Sequence, residues 1–65
     1  MNSVTERILS VLNRQGLSIS GFAKAVNIDP GNFSKKMKGT QPFTKRDFLL
    51  IEKATGISKE WLEFG

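Results

Sequence analysis

The stretch that decides the fold runs from Leu17 to Gly39 and reads LSISGFAKAVNIDPGNFSKKMKG. Ser18 suits a helix N-cap, because its hydroxyl can accept one of the amide protons left unpaired in a first turn. Ile19, Phe22, Ala23 and Val26 follow at helical intervals and predict a single apolar stripe. Gly21 inside that helix costs roughly 1 kcal/mol against alanine. Asn27 ends the helix, since asparagine tolerates the left-handed conformation needed there. Asp29 caps a second helix, and Pro30 suits its first position, where a missing N–H is no loss. Phe33 and Met37 sit four apart and point inward, and Gly39 is a natural stop. The stretch is two short helices joined by the tight turn Asn27-Ile28-Asp29.

Upstream, Ser3 and Glu6 have capping-box spacing, Val4, Ile8, Val11 and Leu12 form one stripe, and Gly16 ends that helix. Downstream, Thr40 to Phe43 is a loop broken by Pro42, with Phe43 tucked beneath it. Thr44 and Asp47 again resemble a capping box and open a fourth helix, with Phe48, Ile51 and Thr55 on one face flanked by Leu50 and Ala54. Gly56 stops it, and Ser58 caps a last short helix carrying Trp61 and Leu62. The expected fold is all-α, a compact five-helix bundle in a single domain over 1–65. Phe33, Met37, Phe48 and Trp61 are expected in the core, and Leu49, Leu50 and Phe64 at the surface.

Composition narrows the functions open to such a bundle. With no cysteine and no histidine in 65 residues, disulfides and the usual zinc sites are excluded, and no metal or small-molecule cofactor is expected. A hydrophobic share of 38%, with five Phe and one Trp, is enough for a core and too much for a disordered tail. The opening MNSVTERILSVLNRQG does not read as a signal peptide, because charged residues interrupt its apolar positions. No apolar run approaches membrane-spanning length, so no membrane partner is expected and the cytoplasm is the expected location. Without His, Cys, Tyr or a glycine-rich phosphate loop, and with no evident carboxylate pair, the chain is not expected to be an enzyme.

Charge points towards a polyanion. Residues 17–46 hold Lys24, Lys35, Lys36, Lys38, Lys45 and Arg46 against Asp29, a net +5, whereas residues 47–65 are net −2. A one-signed patch of this kind attracts polyanions, and on charge alone a plain solvated lysine face fits equally well. On the third helix, once Phe33 and Met37 are turned inward, Gly31, Asn32, Ser34, Lys35, Lys36 and Lys38 remain for the outside. Asparagine can pair with an adenine edge and lysine can reach guanine, while lysines at the far end of the helix suit phosphates. Small residues at its start let the backbone come close. A docking helix-turn-helix needs a small residue at the helix crossing, a turn residue tolerant of positive φ, and apolar anchors behind the second helix. Ala23, Asn27 and the trio Ile28, Phe33 and Met37 supply these. Lys45 and Arg46 lie where the helix dipole disfavours cations, a mismatch that points to a phosphate contact, assigned to Lys45.

These elements resemble the phage-repressor and Cro-like helix-turn-helix family. The resemblance runs through Leu17-Ser18, Phe22-Ala23, Val26-Asn27-Ile28, Phe33-Ser34-Lys35 and Gly39, then Ile51, Ala54-Thr55-Gly56-Ile57-Ser58 and Trp61-Leu62. It implies a lambda-repressor-like bundle with the helix-turn-helix at about residues 18–38. It further implies sequence-specific binding of operator DNA by a bacterial or phage transcriptional repressor, associated with the nucleoid. Such proteins usually act as dimers on partly palindromic sites, and the segments that pair them are expected outside this chain. Carried across by position, Gly31, Asn32 and Lys35 face bases, and Ser18 and Lys38 face phosphates; Ser34, Lys36 and Lys45 join the phosphate set on chemistry. Two positions depart from the family pattern. Ile19 stands where the family often has a phosphate-clamping Gln, and Asn27 stands where it often has Gly. Pro30 falls where many members place a base-reading side chain. The ending GISKEWLEFG resembles the junction before a linker and C-terminal domain in larger regulators. The alternative class is a protein-interaction module, such as an antitoxin-like domain whose DNA binding is secondary; Lys35, Lys36 and Lys38 beside Asn32 suit nucleic acid better.

Overall fold

Every helix start among the described residues is marked by a side chain that accepts an otherwise unpaired amide. In the computed structural model, which describes residues 3–65, five helices follow from these marks: α1 Val4–Arg14, α2 Ile19–Ala25, α3 Pro30–Lys38, α4 Lys45–Thr55 and α5 Lys59–Phe64. No strand occurs among the described residues. Ser3 and Glu6 form a reciprocal capping box on α1, and Thr44 and Asp47 form another on α4. Ser18, Asp29 and Ser58 cap α2, α3 and α5. The Glu52 carboxylate of α4 adds a non-local cap by accepting from the Lys59 amide at 3.0 Å.

The helix ends use the same local chemistry. After α2, Asn27 takes φ 63°, its amide donates to the Lys24 carbonyl at 3.2 Å, and the Ile28 amide donates back to Ala23 at 2.9 Å. This paired 5→2 and 6→1 closure satisfies carbonyls that the helix leaves open and drives Ile28 inward. The closure after α3 is identical in form: Gly39 sits at φ 86°, and Thr40 donates to the Lys35 carbonyl at 3.0 Å.

None of these helices exceeds 11 residues, so none is stable alone and packing must hold them. The core gathers Ile8, Val11 and Leu12 of α1, Phe22 and Ala23 of α2 with Val26 and Ile28 beyond it, Phe33 of α3, Phe48 and Ile51 of α4, and Leu62 of α5. A row of rings runs through it: Phe22 to Phe33 at 5.8 Å, Phe33 to Phe43 at 6.0 Å, and Phe43 to Phe48 at 6.1 Å. Phe43, a loop residue, thereby joins α3 to α4. Met37 and Leu50 pack partly buried against the cluster.

Two core expectations are corrected. Trp61 is 40% exposed while Leu62 is fully buried. Consecutive helical positions diverge by about 100°, so a helix with one inward face cannot bury both. Ile19 is 37% exposed, because the first turn of α2 lies at the rim of the cluster that Phe22, Ala23 and Val26 enter. Leu50, expected at the surface, is drawn against the core instead.

Arg7 is buried at 6% exposure on the apolar side of α1. Its Nε donates to the Leu62 carbonyl at 3.1 Å and its Nη2 to the Glu63 carbonyl at 3.0 Å. The guanidinium therefore caps the end of α5, where carbonyls are open and the helix dipole is negative. Replacing Arg7 with Met keeps the stem and deletes the fork. We expect a loss of about 2 kcal/mol, the scale of one hydrogen bond to a charged group. Thermal unfolding checks this, with a fall of roughly 8–16 °C for a domain of this size; an unchanged midpoint contradicts the capping role.

Candidate nucleic-acid interface

The site is built on α3, whose position is set from behind. Asp29 accepts from the Asn32 amide at 3.0 Å and Pro30 occupies the first turn, so the helix starts at one defined residue. Phe33 is fully buried and packs on Phe22, which ties α3 to α2. With Phe33 and Met37 inward, the steps of about 100° leave Gly31, Lys35 and Lys38 centred on the outer face. These three and Asn32 are exposed, whereas Ser34 and Lys36 are half-buried at its edges. A Cβ added to Gly31 would come within 3.3 Å of the Asp29 carboxylate, so the bare position also leaves the cap undisturbed.

Asn32 lies at the edge facing α4. Together with Asn27, Thr44 and Arg46 it lines a hollow of about 420 Å³ between the α2–α3 turn and the start of α4. Lys45 instead lines a second cleft, of about 500 Å³, between α4 and α5 with Leu49, Lys59 and Phe64. Arg46 borders both. The structure thus brings Arg46, not the assigned Lys45, beside the base-facing end of α3. Sequence spacing could not choose between two adjacent exposed cations; the path of the loop after Gly39 does.

Lys36 is the clearest correction. Expected on a phosphate, its ammonium is spent inside the fold, donating to Asp47 Oδ2 at 2.6 Å with 14% of the side chain exposed. That same oxygen accepts from the Thr44 amide at 2.8 Å, so the pair ties α3 to the capping box of α4. The sequence marks Asp47 only as a cap. Ser18 is exposed, and its oxygen accepts from the Gly21 amide at 3.0 Å as the cap of α2.

The unusual Gly21 is explained here, since a Cβ would meet Ser18 Oγ at 3.1 Å. The outer face of α3 therefore combines one amide, two free-reaching lysines and a bare backbone position, with no acidic residue on the helix itself. Among the described residues no cluster of His, Cys, Asp and Glu could hold a metal ion, and no helix is long and apolar enough to cross a membrane. No family model, curated protein or solved structure matches this chain.

Proposed function

We propose that this chain is a DNA-binding domain of the helix-turn-helix type, a part of a transcriptional regulator that lays α3 in the major groove of duplex DNA. One observation carries the reading. A nine-residue helix is capped at both ends and anchored by a fully buried phenylalanine, yet presents Gly31, Asn32, Lys35 and Lys38 outward with no apolar residue among them. Gly31 permits close approach, Asn32 and Lys35 have the reach and donors for base edges, and Lys38 at the far end meets a phosphate. Arg46 lies beside the helix and extends the phosphate contact, Ser18 at the start of α2 offers a further exposed hydroxyl, and Ser34 lies at the edge of the α3 face. The resemblance to phage repressors supports the same geometry.

Selection of bound duplexes from a random library, followed by gel shift, tests the reading. Binding is expected to weaken with salt at a log–log slope of about −0.9 per phosphate engaged, and Lys38→Ala to reduce that slope by about one on selected and scrambled duplexes alike. A slope near zero on every duplex would show that the basic face meets no nucleic acid.

A second reading, a protein-interaction module, draws on Phe64, which is 75% exposed beside Leu49 at the mouth of the α4–α5 cleft. Failure to enrich any duplex, with capture of a protein partner lost on Phe64→Ser, favours it.

A further inference from the structure

We propose that Asp47 limits the phosphate grip of the α3 face by withholding Lys36 from the DNA backbone, an inference that rests on the reading of α3 as the DNA-facing helix. Three lysines crowd the last turns of α3. Lys35 and Lys38 are exposed, and each can shed bound water for a phosphate at little cost. Lys36 differs in every respect that matters. Its ammonium lies 2.6 Å from a carboxylate whose side chain is 7% exposed, and that carboxylate is itself fixed by the Thr44 amide at 2.8 Å.

Pulling Lys36 away to meet a phosphate leaves a largely buried carboxylate unpaired, which is far more costly than breaking a surface pair. Lys36 is thus a cation that raises the formal charge of the helix without joining the electrostatic contact. The consequence falls on affinity and salt dependence. Phosphate contacts strengthen binding to any sequence, whereas base contacts strengthen it only on the right one. Withholding one generic contact beside Asn32 and Lys35 weakens binding to every sequence by the same factor and leaves the ratio of specific to random binding unchanged. The same pair holds α3 against α4. Asp47 is a positioning residue and touches no DNA.

The experiment compares Lys36→Gln, Asp47→Asn and the double variant with the wild-type chain, on selected and random duplexes across a salt series. Asparagine keeps an oxygen for the Thr44 amide and loses the charge that holds Lys36. Lys36→Gln is expected to leave the salt slope unchanged, in contrast to the loss of about one for Lys38→Ala. Asp47→Asn is expected to steepen the slope by about 0.9 on random DNA, a roughly three- to fourfold greater loss between 50 and 200 mM salt. Selected and random duplexes gain alike, so the specific-to-random ratio stays at the wild-type value, and the double variant returns to the wild-type slope. A loss of one slope unit on Lys36→Gln, or an unchanged slope in a folded Asp47→Asn, overturns the proposal.

A DNA-free measurement accompanies these. In the free protein, the Lys36 ammonium protons should exchange with water more slowly than those of Lys35 and Lys38 by nuclear magnetic resonance. Equal exchange overturns the pairing, even where Asp47→Asn fails to fold. A wild-type chain that binds no duplex but shows the slowed Lys36 ammonium overturns the DNA reading and upholds the pairing.

Discussion

Replacing Asn32 and Lys35 together with Ala is expected to abolish sequence discrimination while leaving the fold intact. Each side chain that pairs with a base edge contributes about 1–3 kcal/mol of discrimination, so the pair accounts for roughly 2–6 kcal/mol. At 1.4 kcal/mol per factor of ten, that is a fall of about thirtyfold to twenty-thousandfold in the ratio of specific to random binding. The fold survives because the capping contacts of both residues use main-chain atoms: the Asn32 amide donates to Asp29, and the Lys35 carbonyl accepts from the Thr40 amide and hydroxyl. The single variants separate two effects. Asn32→Ala changes no charge, so its whole effect falls on the selected duplex, whereas Lys35→Ala also weakens random binding slightly. Titrations of selected and scrambled duplexes, with circular dichroism as the folding control, make the comparison. An unchanged ratio in the double variant removes α3 from the role of reading helix.

Replacing Phe33 with Ala is expected to unfold the domain at room temperature. Phe33 is fully buried at the middle of the ring row, with Phe22 at 5.8 Å and Phe43 at 6.0 Å. Truncating a buried phenylalanine costs about 3–5 kcal/mol through lost burial and the cavity left behind. Both ring pairs go with it, each worth about 0.5–1.5 kcal/mol beyond its area. A core in a chain of this length rarely supplies more than about 3–5 kcal/mol in total, so the loss matches the whole margin. Phe33→Leu keeps most of the volume and should retain a cooperative transition at a lower midpoint. Thermal scans by circular dichroism decide the matter. A cooperative transition for Phe33→Ala within a few degrees of wild type would mean that α3 is held in place by something other than this ring.

Local chemistry makes much of this protein legible in its sequence. An N-cap is decided by a side chain and an amide three residues on, so Ser3, Ser18, Asp29, Thr44 and Ser58 could each be read from the chain alone. The left-handed turn at Asn27 and the stop at Gly39 depend on residue type and a few neighbours, and both stand where the spacing put them. The all-helical class follows, since five capped segments with 3.6-residue stripes have no other regular structure to adopt.

What the sequence could not settle lies where partners are far apart in the chain or adjacent positions compete for one face. Lys36 and Asp47 are 11 residues apart, and Arg7 meets carbonyls 55 and 56 residues away. A lysine beside two exposed lysines carries no local mark of burial; the approach of α4 decides that Lys36 is paired while Lys35 and Lys38 stay free. Trp61 and Leu62 are both apolar, and only the docking of α5 on α1 selects the leucine for the core. Arg46 comes to the edge of α3 and Lys45 turns to the α4–α5 cleft for the same reason. The chain alone determined where its helices begin and end, because capping energies act within a single turn. Which cations remain free to meet a partner was decided only by tertiary packing, because a charge is buried or exposed by its neighbours in space.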